Sequence, residues 1–138
     1  MGAAEERLIR AYIEDFNRRK AIDPASFFAE DALSEEIALG TAVRGLEAIG
    51  KIVRSMAQTD LRIDIDRLFS TTEYACMEWT MSGTHTFEWL GFPPTGQRFS
   101  IKGVTSIDLA SGRMTRYSDY WDFASLLRQV GLLPVTRS

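Results

Sequence analysis

Two spacings of apolar residues divide the chain into a helical first part and a strand-rich second part. Three- and four-residue spacing places one apolar set on a single face of a helix from Glu5 to Arg19. A second set predicts a helix that follows Arg44-Gly45 and stops at Thr59-Asp60. The two faces consist of Leu8, Ile9, Tyr12, Ile13 and Phe16 in the first helix and Leu46, Ile49, Ile52, Val53 and Met56 in the second.

The segment between these helices carries its own signals. Asp23-Pro24 supplies an N-cap followed by a proline at the first helical position, which predicts a short helix closed by Phe27 and Phe28. Leu33 to Leu39 is expected to be extended and to end at Gly40.

Strict alternation of apolar and polar residues predicts strands in the remainder. The predicted strands are Leu61 to Asp66, Tyr74 to Phe87, Phe99 to Leu109 and Arg113 to Asp122, and a last helix, Phe123 to Val130, ends at Gly131 with Pro134 beyond it. Helices first and antiparallel strands last predict an α+β fold in which helices cover one face of a bent sheet. No linker or repeat interrupts the pattern, so one domain, 1–138, is expected.

Composition and charge exclude several classes of function. The chain has 45% hydrophobic and 25% charged residues, as ordinary globular proteins do, and 16 basic against 19 acidic residues give no excess that would attract nucleic acid. Uncharged stretches are too short for a membrane span, and the N-terminus lacks the features of a signal peptide, so we expect a cytoplasmic protein. One cysteine and one histidine cannot assemble the usual zinc sites, and nucleotide-binding motifs are absent, so no metal or cofactor is expected.

The last predicted strand places an acid on an aromatic face. Asp119 falls between Tyr117 and Trp121 at period two. Because a carboxylate is seldom buried without a partner, Asp119 is a candidate catalytic residue. Two structural alternatives stay open: the opposite face of this strand points inward, or Asp119 only caps the following helix.

Three further polar positions are candidates for the same site. Tyr12 lies on the apolar face of the first helix, one of Glu35 and Glu36 must point inward from a regular strand, and His85 extends the period-two face of its strand. A structural role is the alternative for each. The other residues expected to line a pocket with them are Phe16, Trp79, Met81, Thr105, Tyr117 and Trp121. Membership of an ordinary core is the alternative for Trp79, Met81 and Trp121.

Three segments resemble a known family. They are Trp-Thr-Met-Ser-Gly-Thr-His-Thr at 79–86, Gly-Phe-Pro-Pro-Thr-Gly at 91–96, and Asp-Tyr-Trp-Asp at 119–122 followed by Leu-Leu-Arg-Gln-Val-Gly-Leu-Leu-Pro at 126–134. Together they resemble SnoaL-like polyketide cyclases of the nuclear transport factor 2-like superfamily. The resemblance implies a cone-shaped fold with a curved antiparallel sheet and N-terminal helices enclosing a pocket, and a homodimer.

The resemblance also implies roles for individual residues. Asp119 matches the acid–base aspartate of SnoaL-like cyclases and the catalytic aspartate of the epoxide hydrolase-like branch. Tyr12 and Glu36 match the oxyanion tyrosine and the general base of the ketosteroid isomerase-like branch, whose second oxyanion donor is replaced by Thr105. Some SnoaL-like cyclases use a histidine near that position, and His85 on the neighbouring strand could act in its place. In the epoxide hydrolase-like branch, an arginine and an aspartate stand at the positions of Trp79 and Met81.

These observations favour a cofactor-independent cyclase or isomerase. Asp119 would move a proton on a bulky apolar substrate, polyketide- or terpenoid-like, with Glu36 as the complementary group and Tyr12 stabilising an enolate oxygen. One alternative is an epoxide hydrolase or an epoxide-opening cyclase. Another is a non-catalytic protein that binds a hydrophobic ligand.

Overall fold

The computed structural model describes residues 1–88 and 91–134. Its helices are α1 (Ala3–Asn17), α2 (Leu46–Ala57) and α3 (Phe123–Gln129), and a 3-10 turn covers Pro24–Ser26. The strands are β1 (Phe28–Glu36), β2 (Thr41–Arg44), β3 (Arg62–Ser70), β4 (Tyr74–Thr84), β5 (Arg98–Ala110) and β6 (Arg113–Trp121). The α+β class expected from the sequence is confirmed.

The short helix predicted after Asp23 is only a 3-10 turn. The Asp23 side chain accepts a hydrogen bond from the N–H of Ala25 at 3.1 Å, as a capping residue should. Phe28 does not close this turn but begins β1, where it is buried and aligned with Met114 of β6. An aromatic side chain suits a half-buried strand, and the sheet contact decides its conformation.

All six strands form one sheet in the order β2-β1-β6-β5-β4-β3. Four of the five pairings are antiparallel, but β1 pairs with β6 in parallel, which corrects the expectation of an entirely antiparallel sheet. The two strands are far apart in the sequence, so no hairpin turn fixes their direction. Register shifts in β1, β3 and β6 add local bends that curve the sheet.

Strand β2 was not predicted from the sequence. It is four residues long, pairs with β1 across the turn at 37–40, and lies mostly exposed at the sheet edge. A short edge strand with little buried surface leaves no alternating pattern to recognise.

The helices lie against the concave face of the sheet. Ile9 of α1, Met77 of β4 and Ile107 of β5 are fully buried, and the expected alternation along β4 and β5 is confirmed. The end of α1 is fixed to β3 because Asn17 donates to the carbonyl of Ile63 at 2.6 Å and accepts from its N–H at 2.9 Å. None of the helices in the described part of the chain has the length and apolar character of a membrane span.

Candidate active site

A cavity of about 580 Å³ lies between the concave face of the sheet and helices α1 and α2. Its size is in the range of pockets that hold drug-sized molecules. The wall from α2 is apolar and is formed by Ile49, Ile52, Val53 and Met56. Sequence analysis assigned these residues to the packing face of the helix, and the structure shows that the same face also lines the cavity.

Glu36 and Asp119 lie side by side in this cavity. The parallel register of β1 and β6 pairs Ser34 with Tyr117 and Glu36 with Asp119, so all four side chains point to the concave face. The two carboxyl groups hydrogen-bond to each other. Glu35 points to the opposite face, where it accepts a hydrogen bond from Ser118 at 2.7 Å. Register therefore decides which of the two glutamates enters the site.

Fixed donors hold each carboxyl group. Trp121 donates its indole N–H to Glu36 Oε2 at 3.1 Å, and the Thr105 hydroxyl donates to Asp119 Oδ1 at 2.5 Å. The indole N–H of Trp79 in turn donates to Thr105 Oγ1 at 2.7 Å. Both acids are thus oriented by side chains of the sheet itself.

Burial strongly perturbs the acidity of the pair. It raises the pKa of Glu36 to about 9, and the hydrogen bond to Asp119 and its charge act in the same direction. Burial also raises the pKa of Asp119, against the lowering effect of the hydrogen bonds from Glu36 and Thr105. When the pair holds one proton, the hydrogen bond between the two groups favours that proton on Glu36 and the negative charge on Asp119.

Two tyrosines close the polar end of the cavity. Tyr12 of α1 packs edge-to-face on Tyr117 and Phe28, with ring centroids 5.8 and 5.3 Å away. Burial first, and then the charge of Asp119, raises the pKa of both tyrosines, so both remain neutral hydrogen-bond donors. Both hydroxyl groups therefore lie close enough to Asp119 to interact with its charge.

The structure brings most of the sequence-predicted site residues together. The cavity lining includes Tyr12, Phe16, Glu36, Trp79, Met81, Tyr117, Asp119 and Trp121. The helix-cap alternative for Asp119 is not what the structure shows, because Asp122 caps α3 by accepting from the N–H of Ser125 at 3.0 Å.

Two predicted residues lie elsewhere. Thr105 is fully buried beneath Asp119 and Trp79 and is not part of the lining. His85 is also outside the lining, although it is buried and directly follows the end of β4 at Thr84. Its Nδ1 lies 3.0 Å from Thr95 Oγ1, and its ring packs edge-to-face on Phe87. These contacts hold the loop at 91–96 and do not bring His85 to the acids.

Sequence reasoning missed the part of the cavity wall that comes from the β1–β2 hairpin. Leu39, Thr41, Ala42 and Val43 contribute to the lining. Only the turn at Gly40 marked this segment in the sequence, and no apolar alternation accompanied it. In the described part of the chain, no three His, Cys, Asp or Glu residues come close enough to hold a metal ion.

Comparison with known proteins identifies the family of this chain. The family model of the SnoaL-like polyketide cyclases matches residues 6–130. The nogalonic acid methyl ester cyclase of Streptomyces nogalater is 24% identical over 86% of this chain and 91% of its own length. The aklanonic acid methyl ester cyclase DauD of Streptomyces sp. (strain C5) is 23% identical over 90% of this chain and 80% of its own length.

Solved structures share the architecture as well. TsrD from Streptomyces laurentii superposes with a TM-score of 0.78 at 25% identity, covering 95% of this chain and 97% of that one. The curved sheet with helices on its concave face is therefore the nuclear transport factor 2-like fold that the sequence resemblance implied. The chain belongs to the SnoaL-like polyketide cyclase family.

Proposed function

We propose that this protein is a cofactor-independent cyclase that closes a carbon ring by general acid–base catalysis. The observation that supports this most directly is the hydrogen-bonded pair of Glu36 and Asp119 in a cavity with a largely apolar lining. Burying two carboxyl groups is unfavourable, and a pocket that only binds an apolar ligand gains little from them. In its singly protonated form, the pair gives the site a base and an acid at adjacent positions.

The pair can complete a ring closure without a net change in its own protonation. Asp119, as the carboxylate, removes a proton from a carbon next to a substrate carbonyl, and the resulting enolate carbon attacks a second carbonyl to form the new carbon–carbon bond. Glu36 then donates its proton to the alkoxide oxygen that this attack creates. The pair holds one proton before and after, and transfer across the hydrogen bond between Asp119 and Glu36 restores the starting state.

The neutral tyrosines can stabilise the enolate. An enolate oxygen carries negative charge, and a fixed hydroxyl in a poorly solvated cavity stabilises such charge more than water does. Tyr12 reaches the cavity from α1 and Tyr117 reaches it from β6, on the same side as Asp119. We assign the enolate contact to Tyr12, with Tyr117 as its packing partner.

The lining indicates an uncharged substrate with a large apolar surface. Among the described residues, the side chains around the cavity include Glu36, Glu88 and Asp119 but no lysine, arginine or histidine. A free carboxylate on the substrate would meet acids and find no cation. The two curated relatives are named for methyl esters, in which that charge is masked. We therefore assign an esterified polyketide, or a similarly apolar terpenoid, as the substrate class.

The test is turnover of the two esters for which the relatives are named. Purified protein is incubated with nogalonic acid methyl ester and with aklanonic acid methyl ester, and the products are separated by liquid chromatography and analysed by mass spectrometry and NMR. We expect a product of unchanged mass with one new carbon–carbon bond, and its loss in Asp119→Asn. A product of unchanged mass with only a shifted double bond would indicate an isomerase instead.

The other candidate functions give different results in the same experiment. A ligand-binding protein would retain the ester in equilibrium dialysis without converting it, in the wild type and in Asp119→Asn alike. An epoxide-opening enzyme would leave both esters unchanged and would convert an apolar epoxide to a diol or a cyclic ether. Either result would contradict the proposed ring closure.

A further inference from the structure

We propose that Thr105 is a positioning residue for Asp119, and that Trp79, seated over Gly103, fixes the direction of the Thr105 hydroxyl. This inference rests on the proposed function, in which Asp119 is the base. Thr105 then acts from beneath the cavity and does not form part of its wall. It also gives Trp79 a second task besides lining the cavity.

Trp79, Thr105 and Asp119 form a chain of two hydrogen bonds, and the direction of each bond follows from the donors available. An indole N–H can only donate, so the 2.7 Å contact with Trp79 makes Thr105 Oγ1 an acceptor. A hydroxyl group has one hydrogen, and the 2.5 Å contact directs it to Asp119 Oδ1. Thr105 is fully buried, so its hydroxyl interacts with protein side chains and not with solvent: Trp79, Asp119 and, on the neighbouring strand, Tyr117.

Gly103 makes room for the indole that starts the chain. It aligns with Trp79 across the β4–β5 pair, and a Cβ at position 103 would lie 2.4 Å from two atoms of the indole ring. Real side chains do not approach so closely, so any other residue there would displace the ring. Trp79 is buried and cannot swing aside freely. The glycine therefore lets the indole lie across β5 and reach Thr105, two residues further along the same strand.

The hydrogen bonds from Trp79 to Thr105 and from Thr105 to Asp119 affect how Asp119 can take up a proton. Because Oδ1 accepts the Thr105 hydrogen, the Asp119 carboxylate cannot rotate freely. A carboxylate held in one orientation meets the substrate proton in one geometry, which is how positioning raises rates. Loss of the hydroxyl would both free the carboxylate and remove a donor that stabilises its charged form.

The test compares Thr105→Val, which removes the hydroxyl at nearly constant volume, with Thr105→Ser, which keeps it. Carboxyl 13C NMR titrations are recorded on protein labelled at Asp and Glu, with the Asp119→Asn spectrum identifying the Asp119 signal. Three titratable groups act on Asp119: Glu36 on β1, Tyr12 on α1 and Tyr117 on β6. All three remain in both variants. We expect the Asp119 midpoint to move to higher pH in Thr105→Val and to stay at the wild-type value in Thr105→Ser.

Thr80→Val is a matched control. Thr80 Oγ1 donates to Asp66 Oδ2 at 2.7 Å on the opposite face of the sheet, so this change also removes one threonine–aspartate hydrogen bond. We expect it to leave the Asp119 titration unchanged. Gly103→Ala should shift Asp119 in the same direction as Thr105→Val, because the displaced indole no longer fixes the Thr105 hydroxyl. Thermal unfolding of each variant verifies that it is folded at the titration temperature.

The outcomes separate this inference from the proposed function. An unchanged Asp119 midpoint in folded Thr105→Val would overturn the positioning role even if the esters are cyclised. A midpoint that shifts in Thr105→Val and stays at the wild-type value in Thr105→Ser would support the positioning role even if neither ester reacts. Full turnover by Asp119→Asn would contradict only the catalytic proposal. With an active enzyme, kcat/KM should fall about tenfold in Thr105→Val and recover in Thr105→Ser.

Discussion

Asp119 shows how one side chain can acquire both its charge state and its orientation from its neighbours. Glu36 is the only acid aligned with it in the β1–β6 pairing described by the structure, and Thr105 supplies the donor from β5. Neither partner is adjacent in the sequence. The acid could be located from its place among aromatic residues, but its partners became identifiable only when the strand register was known.

Replacing Asp119 with Asn should separate catalysis from stability. The amide keeps the volume and can still accept the Thr105 hydrogen bond, but it cannot take a proton, so we expect kcat/KM to fall about 100- to 10,000-fold. Removing a buried charge should leave the free energy of unfolding unchanged or slightly higher. Turnover and thermal unfolding are measured on one preparation. Asp66→Asn, which changes a surface acid bonded to Thr80, is the control and should lose no turnover.

The elevated pKa of Glu36 should make the protein less stable as pH rises. Its pKa increases from 4.5 in the unfolded chain to about 9 in the folded protein, so the folded state binds more protons between these values. The free energy of unfolding must then decrease with rising pH across that window. In Glu36→Gln this contribution disappears, and the decline from pH 5 to pH 9 should be shallower. Urea unfolding at several pH values measures it, and equal slopes for both proteins would contradict the assignment.

The elements differ in how well local sequence predicts them. Strands β4 and β5 follow from alternation because one of their faces is buried along their whole length. The 3-10 turn, the edge strand β2 and the parallel direction of β1 depend on contacts with distant residues. The site follows the same rule. Asp119 and Tyr12 could be recognised from the sequence because each is a polar residue on an otherwise apolar face. His85 was misplaced because its strand ends at Thr84 and not at Phe87, so His85 follows the strand and contacts Thr95 of the next loop.

The junction between α1 and β3 should contribute measurably to stability. Asn17 satisfies both the N–H and the carbonyl of Ile63, a position in the edge strand β3. Asn17→Ala leaves both groups without this partner, and we expect a loss of about 1–3 kcal/mol in the free energy of unfolding. Arg10→Ala removes only an exposed ion pair with Glu6 on the same helix and should cost less than about 0.5 kcal/mol. Equal losses in chemical denaturation would show that Asn17 has no special role.

At the scale of the whole molecule, the outer face of the sheet suits a second copy of the chain. Three large apolar residues are exposed there: Phe69 at 63%, Tyr74 at 42% and Tyr120 at 43%. Tyr120 aligns with Val104 across β5 and β6, which adds an apolar pair to the middle of this face. We propose a homodimer formed through this face.

Light scattering should therefore give twice the chain mass of 15.6 kDa at micromolar concentration. Tyr120→Asp should produce a monomer, because it places a charge at the centre of the proposed contact. Ile37→Asp is the matched control, since Ile37 is equally exposed at 42% but lies in the turn between β1 and β2. A monomer mass for the wild type would rule out this dimer.

The charge distribution of the cavity should determine which form of a substrate is accepted. The described lining contains three acids and no basic side chain, and the chain as a whole carries a formal charge of −3. A substrate carboxylate would be repelled by Asp119 and would lose hydration without gaining a partner. Esterification removes that charge and leaves the reacting carbons unchanged.

We therefore expect a methyl ester to be turned over at least about tenfold more efficiently, in kcat/KM, than the corresponding free acid. Competition between nogalonic acid and its methyl ester at several pH values measures the preference. Lowering the pH toward the pKa of the free acid should narrow the gap, since the protonated acid is uncharged. Adding salt should change it little, because the acids inside the cavity are screened far less than surface charges. Equal turnover of acid and ester at neutral pH would show that the cavity holds a cation-like partner for the substrate, which is contrary to the lining described above.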